Sequence, residues 1–418
     1  MGQSRIGKKL AILADAAKYD ASCASSGSTK RHSLNGKGVG STEGAGICHS
    51  YAPDGRCISL LKVLLTNFCT YDCHYCVNRV SSNTPRARFS IDEVVDLTLS
   101  FYKRNYIEGL FLSSGIIQSP DYTMEQVVAV ARSLRQQHDF RGYIHLKTIP
   151  EASPELLAEA GLYADRLSIN VELPKRSSLA KLAPQKDHAS IGRSMQRIRH
   201  SIEAGKDVSH KGSQAPSFAS AGQSTQMIVG ADESSDAAVL ECTDRLYTQF
   251  HMKRVYYSAF SPIPDASSVL PLSAPNLMRE HRLYQADWLL RFYGYEVGEV
   301  VNCTSQGMLD LQIDPKLAWA LNHRDYFPVC VNTANRQALL RVPGLGYKGV
   351  EEVLKARRVH RLRLADMKRI SRSVERMKAF VTTLDWTPGA LLESHDLRAH
   401  LAGSQAQLDL FEQAPAAH

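Results

Sequence analysis

The feature that constrains the fold most is an alternation of short apolar, β-prone runs with amphipathic helical segments between residues 58 and 261. Such an alternation indicates parallel strands that are joined by right-handed helical crossovers. Six strand–helix units are too few to close an eight-stranded barrel, so we predict an α/β fold with an open, partial (β/α)6 TIM-like barrel. The predicted strands are 58–67, 109–114, 143–149, 166–173, 226–230 and 254–261.

The chain has 418 residues, which is enough for more than this barrel. We predict an N-terminal helix with a Gly/Ser-rich stretch, the barrel, a helical connection, an all-α helical unit and a flexible tail. In chain order, their bounds are 1–57, 58–265, 266–331, 332–385 and 386–418.

Composition and charge limit the class of protein. No apolar run approaches the roughly 18 residues of a membrane span, and Asp15 and Lys18 interrupt the N-terminal apolar stretch, so we expect a cytoplasmic protein without a membrane partner. The net charge of the chain is +8, and residues 336–378 are strongly basic, with 13 Lys and Arg and 4 Asp and Glu. This block indicates either a polyanionic partner or a solvated helical surface.

Three of the nine cysteines, Cys69, Cys73 and Cys76, follow the first predicted strand in the spacing C-x-x-x-C-x-x-C. An odd number of unevenly spread cysteines argues against a disulfide framework. Three thiolates on one tight loop can hold three irons of a cubane cluster, which leaves the fourth iron open to a small chelating molecule. The alternative is a zinc site, for which His74 inside the C-x-x-C turn is a poorly placed fourth ligand.

This motif, placed after the first strand of a βα series, resembles the radical S-adenosylmethionine (SAM) superfamily. The resemblance implies a [4Fe-4S] cluster, SAM on its open iron, an electron donor such as flavodoxin or ferredoxin, and a 5′-deoxyadenosyl radical. Further blocks resemble a subfamily described as DNA modification or repair enzymes, which is linked to a uracil-DNA-glycosylase-like partner. They are KYDASCASSGS, GICHSYAPDGRCISLL, RNYIEGLFLSSG, IHLKTIP, INVELP and GQSTQMIVGA.

The resemblance also implies residues that contact SAM. The turn Ser113, Ser114 and Gly115 takes the place of the superfamily's Gly-Gly-Glu motif, although the glutamate is missing. A plain strand-ending turn is the alternative. Gly230 ends the fifth predicted strand, which is similar to the adenine-contacting strand, and Tyr75 lies where an aromatic residue often flanks adenine.

Polar residues alternate at the end of the fourth predicted strand. Ser168, Asn170 and Glu172 share one face of a strand, and they resemble positions that touch the ribose and the methionine carboxylate. Lys147 ends the third strand, and Glu172 is a candidate partner for its charge. The alternative is an interior polar layer that only satisfies itself.

A second motif lies in the basic block. Residues 333–358 predict a helix, a Pro-Gly-Leu-Gly hairpin and a second helix, which resembles a helix-hairpin-helix. Amides at the hairpin and at the start of the second helix favour phosphate, so we expect contacts with the DNA backbone. A protein-interaction hairpin is the alternative. The candidate DNA-binding residues are Pro343, Gly344, Leu345, Gly346, Lys348, Arg357 and Arg358.

Two weaker signals lie near the ends of the chain. The segment QLDLF resembles the pentapeptide by which bacterial proteins bind the replication sliding clamp, with Gln407, Leu408, Leu410 and Phe411 as the contacts. Near the N-terminus are cysteines and histidines that either bind a second metal or are ordinary thiols and imidazoles. These are Cys23, His32, Cys48, His49 and Cys57.

Taken together, these features predict a radical enzyme that acts on DNA, with an extruded or single-stranded base at the barrel mouth. Two alternatives stay open: a radical enzyme that acts on RNA, and a non-catalytic iron–sulfur protein that binds DNA or scaffolds the glycosylase-like partner.

Overall fold

The computed structural model describes residues 5–17, 47–51, 57–210, 218–264 and 266–403. The chain divides into two compact units. Unit 1 is Met1–Ser234 with Arg245–Pro275, and unit 2 is Ser235–Asp244 with Asn276–His418.

Seven strands of the described residues form one sheet in unit 1, and their order in the sheet follows their order in the chain. Strands β2 to β7 pair in parallel, which confirms the six predicted parallel strands, and β1 pairs with β2 in the antiparallel direction. The edge strand β1 was not predicted. The strands are β1 Ile47–Tyr51, β2 Cys57–Leu64, β3 Gly109–Ser113, β4 Tyr143–Lys147, β5 Arg166–Ser168, β6 Gln223–Val229 and β7 Arg254–Ala259.

Helices connect the parallel strands, as the crossover rule requires. Helix α2 begins at a capping box, in which Ser90 accepts from the Glu93 amide and the Glu93 carboxylate accepts from the Ser90 amide. Helix α3 continues as a π-helical turn, Ser133–Gln137. The helices are α1 Arg5–Ala17, α2 Ile91–Lys103, α3 Pro120–Arg132, α4 Pro154–Tyr163, α5 Arg176–Leu182, α6 His188–His210 and α7 Asp236–Phe250.

The central strands are buried on both faces. All five residues of β3 are buried, and Leu60, Leu112, Ile144 and Leu167 have no exposed surface. This pattern is typical of a parallel sheet covered by helices, and it explains why the sequence shows near-continuous apolar runs rather than strict alternation.

Strand β5 is shorter than the predicted strand 166–173. It ends at Ser168, and Glu172 has a left-handed backbone with φ +66° while bridging to Met227 of β6. The even alternation expected for residues 168, 170 and 172 is therefore interrupted, because a left-handed residue turns the chain out of the extended conformation.

Unit 2 is mainly helical, but the prediction of an all-α region was wrong in one respect. Val329–Cys330 (β8) and Val381–Thr382 (β9) form a short parallel pair. Within the described part of the chain, every helix is too short or too polar to cross a bilayer. The helices are α8 Leu277–Phe292, α9 Val297–Val301, α10 Pro315–Asn322, α11 Arg336–Arg341, α12 Tyr347–Ala356, α13 Leu364–Ile370, α14 Val374–Met377 and α15 Leu397–Gly403.

Replacement of Gly109 by alanine is expected to destabilise unit 1, because the new Cβ would overlap the Tyr143 carbonyl oxygen and the Leu60 side chain. We expect a loss of about 3 kcal/mol, measured as a lower midpoint of thermal unfolding by circular dichroism. The matched control is Gly192→Ala in α6, where the nearest atom is 3.7 Å away and the helix should gain up to about 1 kcal/mol. Equal midpoints for the two variants would contradict the packing described for β3 and β4.

Candidate functional site

A cavity with about 1250 Å³ of unfilled space lies at the carboxyl ends of the parallel strands of unit 1. Such a position is where parallel α/β folds place their chemistry. The lining brings together most of the residues singled out in the sequence. They are Cys69, Cys73, Tyr75, Cys76, Ser113, Ser114, Gly115, Lys147, Asn170 and Glu172.

The loop that carries the three cysteines is held by backbone hydrogen bonds to neighbouring elements. The Cys76 amide donates to the Cys73 carbonyl at 2.8 Å, which closes the C-x-x-C turn. The His74 amide donates to the last residue of α5, Leu182, and the Thr70 amide donates to Ile116. These contacts fix the loop against α5 and the end of β3, so the thiols are positioned before any ligand binds.

The three cysteines are free thiols, and the sulfur atoms of Cys69 and Cys76 accept weak hydrogen bonds from the backbone. The amides of Tyr71 and Ile116 approach the Cys69 sulfur, each at 3.4 Å, and the Asn78 amide approaches Cys76 at 3.4 Å. Donors of this kind stabilise thiolate ligands and tune the potential of a cluster.

Burial raises the pKa of Cys73 to about 11 and the pKa of Cys76 to about 12. A metal that binds here must therefore displace the protons of both thiols. Its positive charge then stabilises the thiolates in place of the water that burial removes. Among the residues that the structure describes, no three His, Cys, Asp or Glu side chains are grouped as ligands of a single metal ion. A cubane binds each thiolate through a different iron, so its ligands need not converge on one point.

An ion pair lies in the cavity wall near the thiols. The ammonium of Lys186 donates to the Glu172 carboxylate at 2.5 Å, and their side chains are 17% and 6% exposed. Burial lowers the pKa of Lys186, but the charge of Glu172 and of the neighbouring acidic groups outweighs burial and holds this pKa well above its usual range. Sequence reasoning named Lys147 as a candidate partner for Glu172 and did not single out Lys186.

Two polar groups in this region have no hydrogen-bond partner among the residues that the structure describes. Tyr75 lines the cavity, its hydroxyl is buried without a partner, and burial followed by the charge of Glu172 raises its pKa well above the usual value. Both carboxylate oxygens of Glu151 are also buried and unpartnered, and burial raises the Glu151 pKa. Buried polar groups of this kind are normally satisfied, so a polar ligand in the cavity is the natural partner for Tyr75.

The turn at residues 113–115 is small because the backbone of the cysteine loop packs against it. The Gly115 amide donates to Thr66 at 2.8 Å, and a Cβ at Gly115 would overlap the Phe68 carbonyl oxygen. The glycine is thus required by the approach of two backbone segments, whatever ligand the turn contacts.

Two residues singled out in the sequence do not line this cavity. Ser168 hydrogen bonds to the Nε2 atom of His145 at 2.9 Å. Gly230, with φ +81°, packs against Pro275, and a Cβ there would lie 2.7 Å from the proline ring. Lining residues that sequence reasoning missed include Tyr71, Lys186 and Gln226, because their place at the site depends on distant parts of the chain.

The segment that resembles a helix-hairpin-helix contains α11, the turn at residues 342–346, and α12 of unit 2. Gly344 takes φ +79°, and a Cβ there would lie 2.7 Å from the Ser373 carbonyl oxygen, so glycine is required. Pro343 and Leu345 are buried, whereas Gly346 and Lys348 are exposed. The first two residues therefore pack the hairpin and the last two face solvent.

Neighbouring side chains hold the hairpin from behind. The Lys316 ammonium donates to the Leu345 carbonyl at 2.7 Å, the Ser371 hydroxyl donates to Gly344 at 2.6 Å, and the Tyr347 amide donates to the Tyr293 hydroxyl at 3.1 Å. Arg358 is exposed, but Arg357 is half-buried and donates to the carbonyls of Val331 and Ala334. The Arg357 guanidinium thus forms hydrogen bonds within unit 2.

Several residues named in the sequence analysis lie outside the described residues. They are the clamp-binding residues Gln407, Leu408, Leu410 and Phe411, together with Cys23, His32 and the side chains of His49 and Cys57. Cys48 is described, and it is buried among the apolar side chains of Ile58, Leu60 and Phe111.

Comparison with known proteins bears on the cavity. Residues 63–212, which include the cysteine loop and most of the lining, match the family model described as Radical SAM superfamily. The chain carries a radical SAM domain. Enzymes of this superfamily use a [4Fe-4S] cluster and SAM, and three free thiols beside an unsatisfied buried hydroxyl fit that pair of cofactors.

Solved radical SAM structures resemble the domain at low sequence identity. The FeFe-hydrogenase maturase HydG from Carboxydothermus hydrogenoformans is 17% identical, with a TM-score of 0.42 over 55% of this chain and 49% of that chain. Methylornithine synthase is 14% identical, with a TM-score of 0.42 over 55% and 60%. The match thus spans about half the length of the maturase. A search of curated proteins found no similar sequence.

Cys73→Ala is expected to abolish cluster assembly by the radical SAM domain, because two thiolates cannot hold three corners of a cubane. The measurement is the iron and sulfide content after anaerobic reconstitution, together with the visible absorption of the cluster. Cys303→Ala is the matched control, since Cys303 is a free, half-buried thiol of unit 2. Equal iron content in Cys73→Ala and wild-type protein would rule out Cys73 as a ligand.

Lys316→Met is expected to remove a pH dependence from the stability of unit 2. Burial, opposed by Asp314 and aided by Arg341, lowers the pKa of Lys316 from 10.5 to about 7. Between these values the unfolded chain binds a proton that the folded chain does not, so stability rises from about pH 7 toward pH 10 and this gain is lost as the pH falls through 7. The neutral amine still donates to Leu345.

Thermal unfolding of wild-type protein, Lys316→Met and the exposed-lysine control Lys348→Met at about pH 7 and pH 9.5 tests this expectation. Wild type and the control should gain stability over this interval relative to Lys316→Met. An identical pH response in all three proteins would show that Lys316 keeps its ordinary pKa.

Proposed function

We propose that this protein is a radical SAM enzyme that modifies or repairs DNA. The observation that carries the proposal is a cavity with three free thiols in a radical SAM domain. The second unit of the chain adds a basic surface around α11 and α12, which resemble a helix-hairpin-helix. The DNA-related subfamily resemblance of the sequence blocks agrees with this assignment.

The cavity residues divide the work of holding the cofactors. Cys69, Cys73 and Cys76 would ligate the cluster, and Tyr75 and Asn170 offer polar groups to SAM within the same cavity. When bound, the cluster and SAM supply a 5′-deoxyadenosyl radical that abstracts a hydrogen atom from the substrate. The chain's own contribution is to orient the ligands and exclude water, which the buried strand ends and the Lys186–Glu172 pair support.

The charge of the second unit suits a nucleic-acid backbone. Between residues 336 and 378, eight basic side chains are exposed, whereas only Glu352 and Glu375 are exposed among the carboxylates. This excess favours a polyanion over the self-paired charges of an ordinary helical surface. The exposed basic residues are Lys348, Lys355, Arg358, Arg361, Arg363, Lys368, Arg369 and Arg372.

The hairpin offers backbone donors next to this charge. Gly346 is the N-cap of α12, and the first-turn amides of a helix have no intrahelical partners. The Tyr347 amide donates to Tyr293, so the amides after it are the candidate donors to phosphate. The exposed ammonium of Lys348 lies in the same turn. Such a site holds phosphate without reading the base sequence, so it would place a duplex while the radical SAM domain receives one extruded nucleotide.

The proposal predicts that the reconstituted, reduced protein cleaves SAM to 5′-deoxyadenosine and that duplex DNA with damaged or uracil-containing sites increases the yield. Mass spectrometry of the cofactor products and of the digested nucleosides measures both. Cys73→Ala is the negative control, because it should lose the cluster.

The alternatives give different products. Stimulation by tRNA but not by DNA would identify an RNA-modifying enzyme. Absence of 5′-deoxyadenosine, with a full cluster and tight DNA binding, would identify a non-catalytic adaptor.

A further inference from the structure

One exposed aromatic patch of unit 2 is not explained by the packing of the described residues. Trp288 and Phe292 lie one turn apart on α8, are 47% and 39% exposed, and have ring centroids 4.8 Å apart. Single exposed apolar side chains are common on protein surfaces. A contacting Trp–Phe pair on the solvent face of a helix, with its rings tilted by 48°, presents two adjoining aromatic faces instead, and such patches mark binding sites.

The face that carries this pair has no negative charge. The exposed residues of α8 beyond its first turn are His281, Gln285, Trp288 and Phe292, spaced as one stripe of the helix. Helix α8 has two acidic residues: Glu280 lies in its first turn, and Asp287 is fully buried and forms an ion pair with Arg291. The guanidinium of Arg291, whose charge Asp287 balances, lies 4.6 Å from the centre of the Phe292 ring.

The patch adjoins the hairpin. Tyr293, the residue after Phe292, accepts a hydrogen bond from the amide of Tyr347, the first residue of α12. Tyr347 is 42% exposed, and the guanidinium of Arg336, which is paired with Glu351 at 2.9 Å, lies 4.8 Å from the centre of its ring. The surface from Trp288 to Lys348 therefore carries flat aromatic faces beside the exposed charge and the first-turn amides of the hairpin.

We propose that Trp288 and Phe292 form a stacking platform for unpaired nucleobases, so that unit 2 binds DNA in which a single-stranded segment lies next to a duplex. This inference rests on the proposed DNA function and names the form of its substrate. Aromatic rings stack on base faces, and the exposed ammonium of Lys348 attracts phosphates, whereas a hydrophobic protein partner would not require this charge. In an intact duplex the base faces are covered by their neighbours, so the occupant is a strand with exposed bases.

The test compares three probes of equal length: a single-stranded thymidine oligonucleotide, the same backbone with abasic sites, and a blunt duplex. Trp288→Ala and Phe292→Ala are expected to weaken binding of the thymidine oligonucleotide about tenfold and to leave the abasic probe unchanged. Leu272→Ala is the matched control, since Leu272 is 98% exposed and lies in unit 1. Trp288→Phe should keep the affinity, because phenylalanine retains a flat ring.

A second readout does not depend on affinity. Trp288 is the most exposed of the three tryptophans, so base stacking should quench the intrinsic fluorescence of wild-type protein. The abasic probe should not quench it, and Trp288→Phe should lose the quenching while still binding.

The outcomes separate the platform from the DNA function. Lys348→Ala combined with Arg358→Ala should weaken all three probes and lower the salt dependence of binding. If duplex binding is intact but Trp288→Ala and Phe292→Ala bind the thymidine oligonucleotide like wild type, the platform is refuted and the DNA proposal stands. A change of oligomeric state in these variants without an effect on DNA would assign the patch to protein contact. Failure of wild type to bind any probe overturns both proposals.

Discussion

The site depends on the buried thiols of Cys73 and Cys76, which lie near the ion pair of Lys186 and Glu172. Burial raises the pKa of Cys73 and Cys76, and the ammonium of Lys186 opposes this effect at both sulfurs. Glu172 balances Lys186 at 2.5 Å, so neither charge of this pair is isolated in the cavity wall. A low-dielectric cavity of this kind strengthens the interaction of the thiolates with a metal cluster. It also disfavours the thiolate form when no metal is bound.

The order of the strands explains how distant residues reach one cavity. Because β2 to β7 are parallel and adjacent in chain order, each strand delivers the residues after its carboxyl end to the same edge of the sheet. The cysteine loop follows β2, the small turn follows β3, Lys147 ends β4 and Glu172 follows β5. The left-handed backbone of Glu172 turns its carboxylate toward Lys186, which comes from the connection between α5 and α6.

Features encoded over a few residues could be predicted from the sequence, and features that depend on tertiary contacts could not. The six parallel strands and the cysteine loop follow from local apolar periodicity and spacing, as does the capping box at Ser90. The ion pair of Glu172 and Lys186 joins residues that are 14 positions apart and separated by the short helix α5. No local sequence pattern therefore predicts it. Strands β8 and β9 have two residues each, which is too short to show a period of two.

The segment around α11 and α12 shows the same division. The need for glycine at position 344 and the presence of a helix on each side of it could be predicted from the sequence, because a positive φ and a tight turn require specific residues. The hydrogen bonds of Arg357 could not be predicted from the sequence, because its guanidinium donates to two carbonyls that only the fold brings near. A basic residue beside a binding motif is therefore a candidate contact until its own hydrogen bonds are known.

Three thiols can hold three irons of a cubane cluster, which would leave the fourth iron open to SAM. Electron paramagnetic resonance of the anaerobically reconstituted, reduced protein, recorded with and without SAM, distinguishes an open iron from a closed one. We expect a [4Fe-4S] signal whose g-values shift when SAM is added. A spectrum that SAM does not change, or a protein that binds only tetrahedral zinc, would show that no iron is open to SAM.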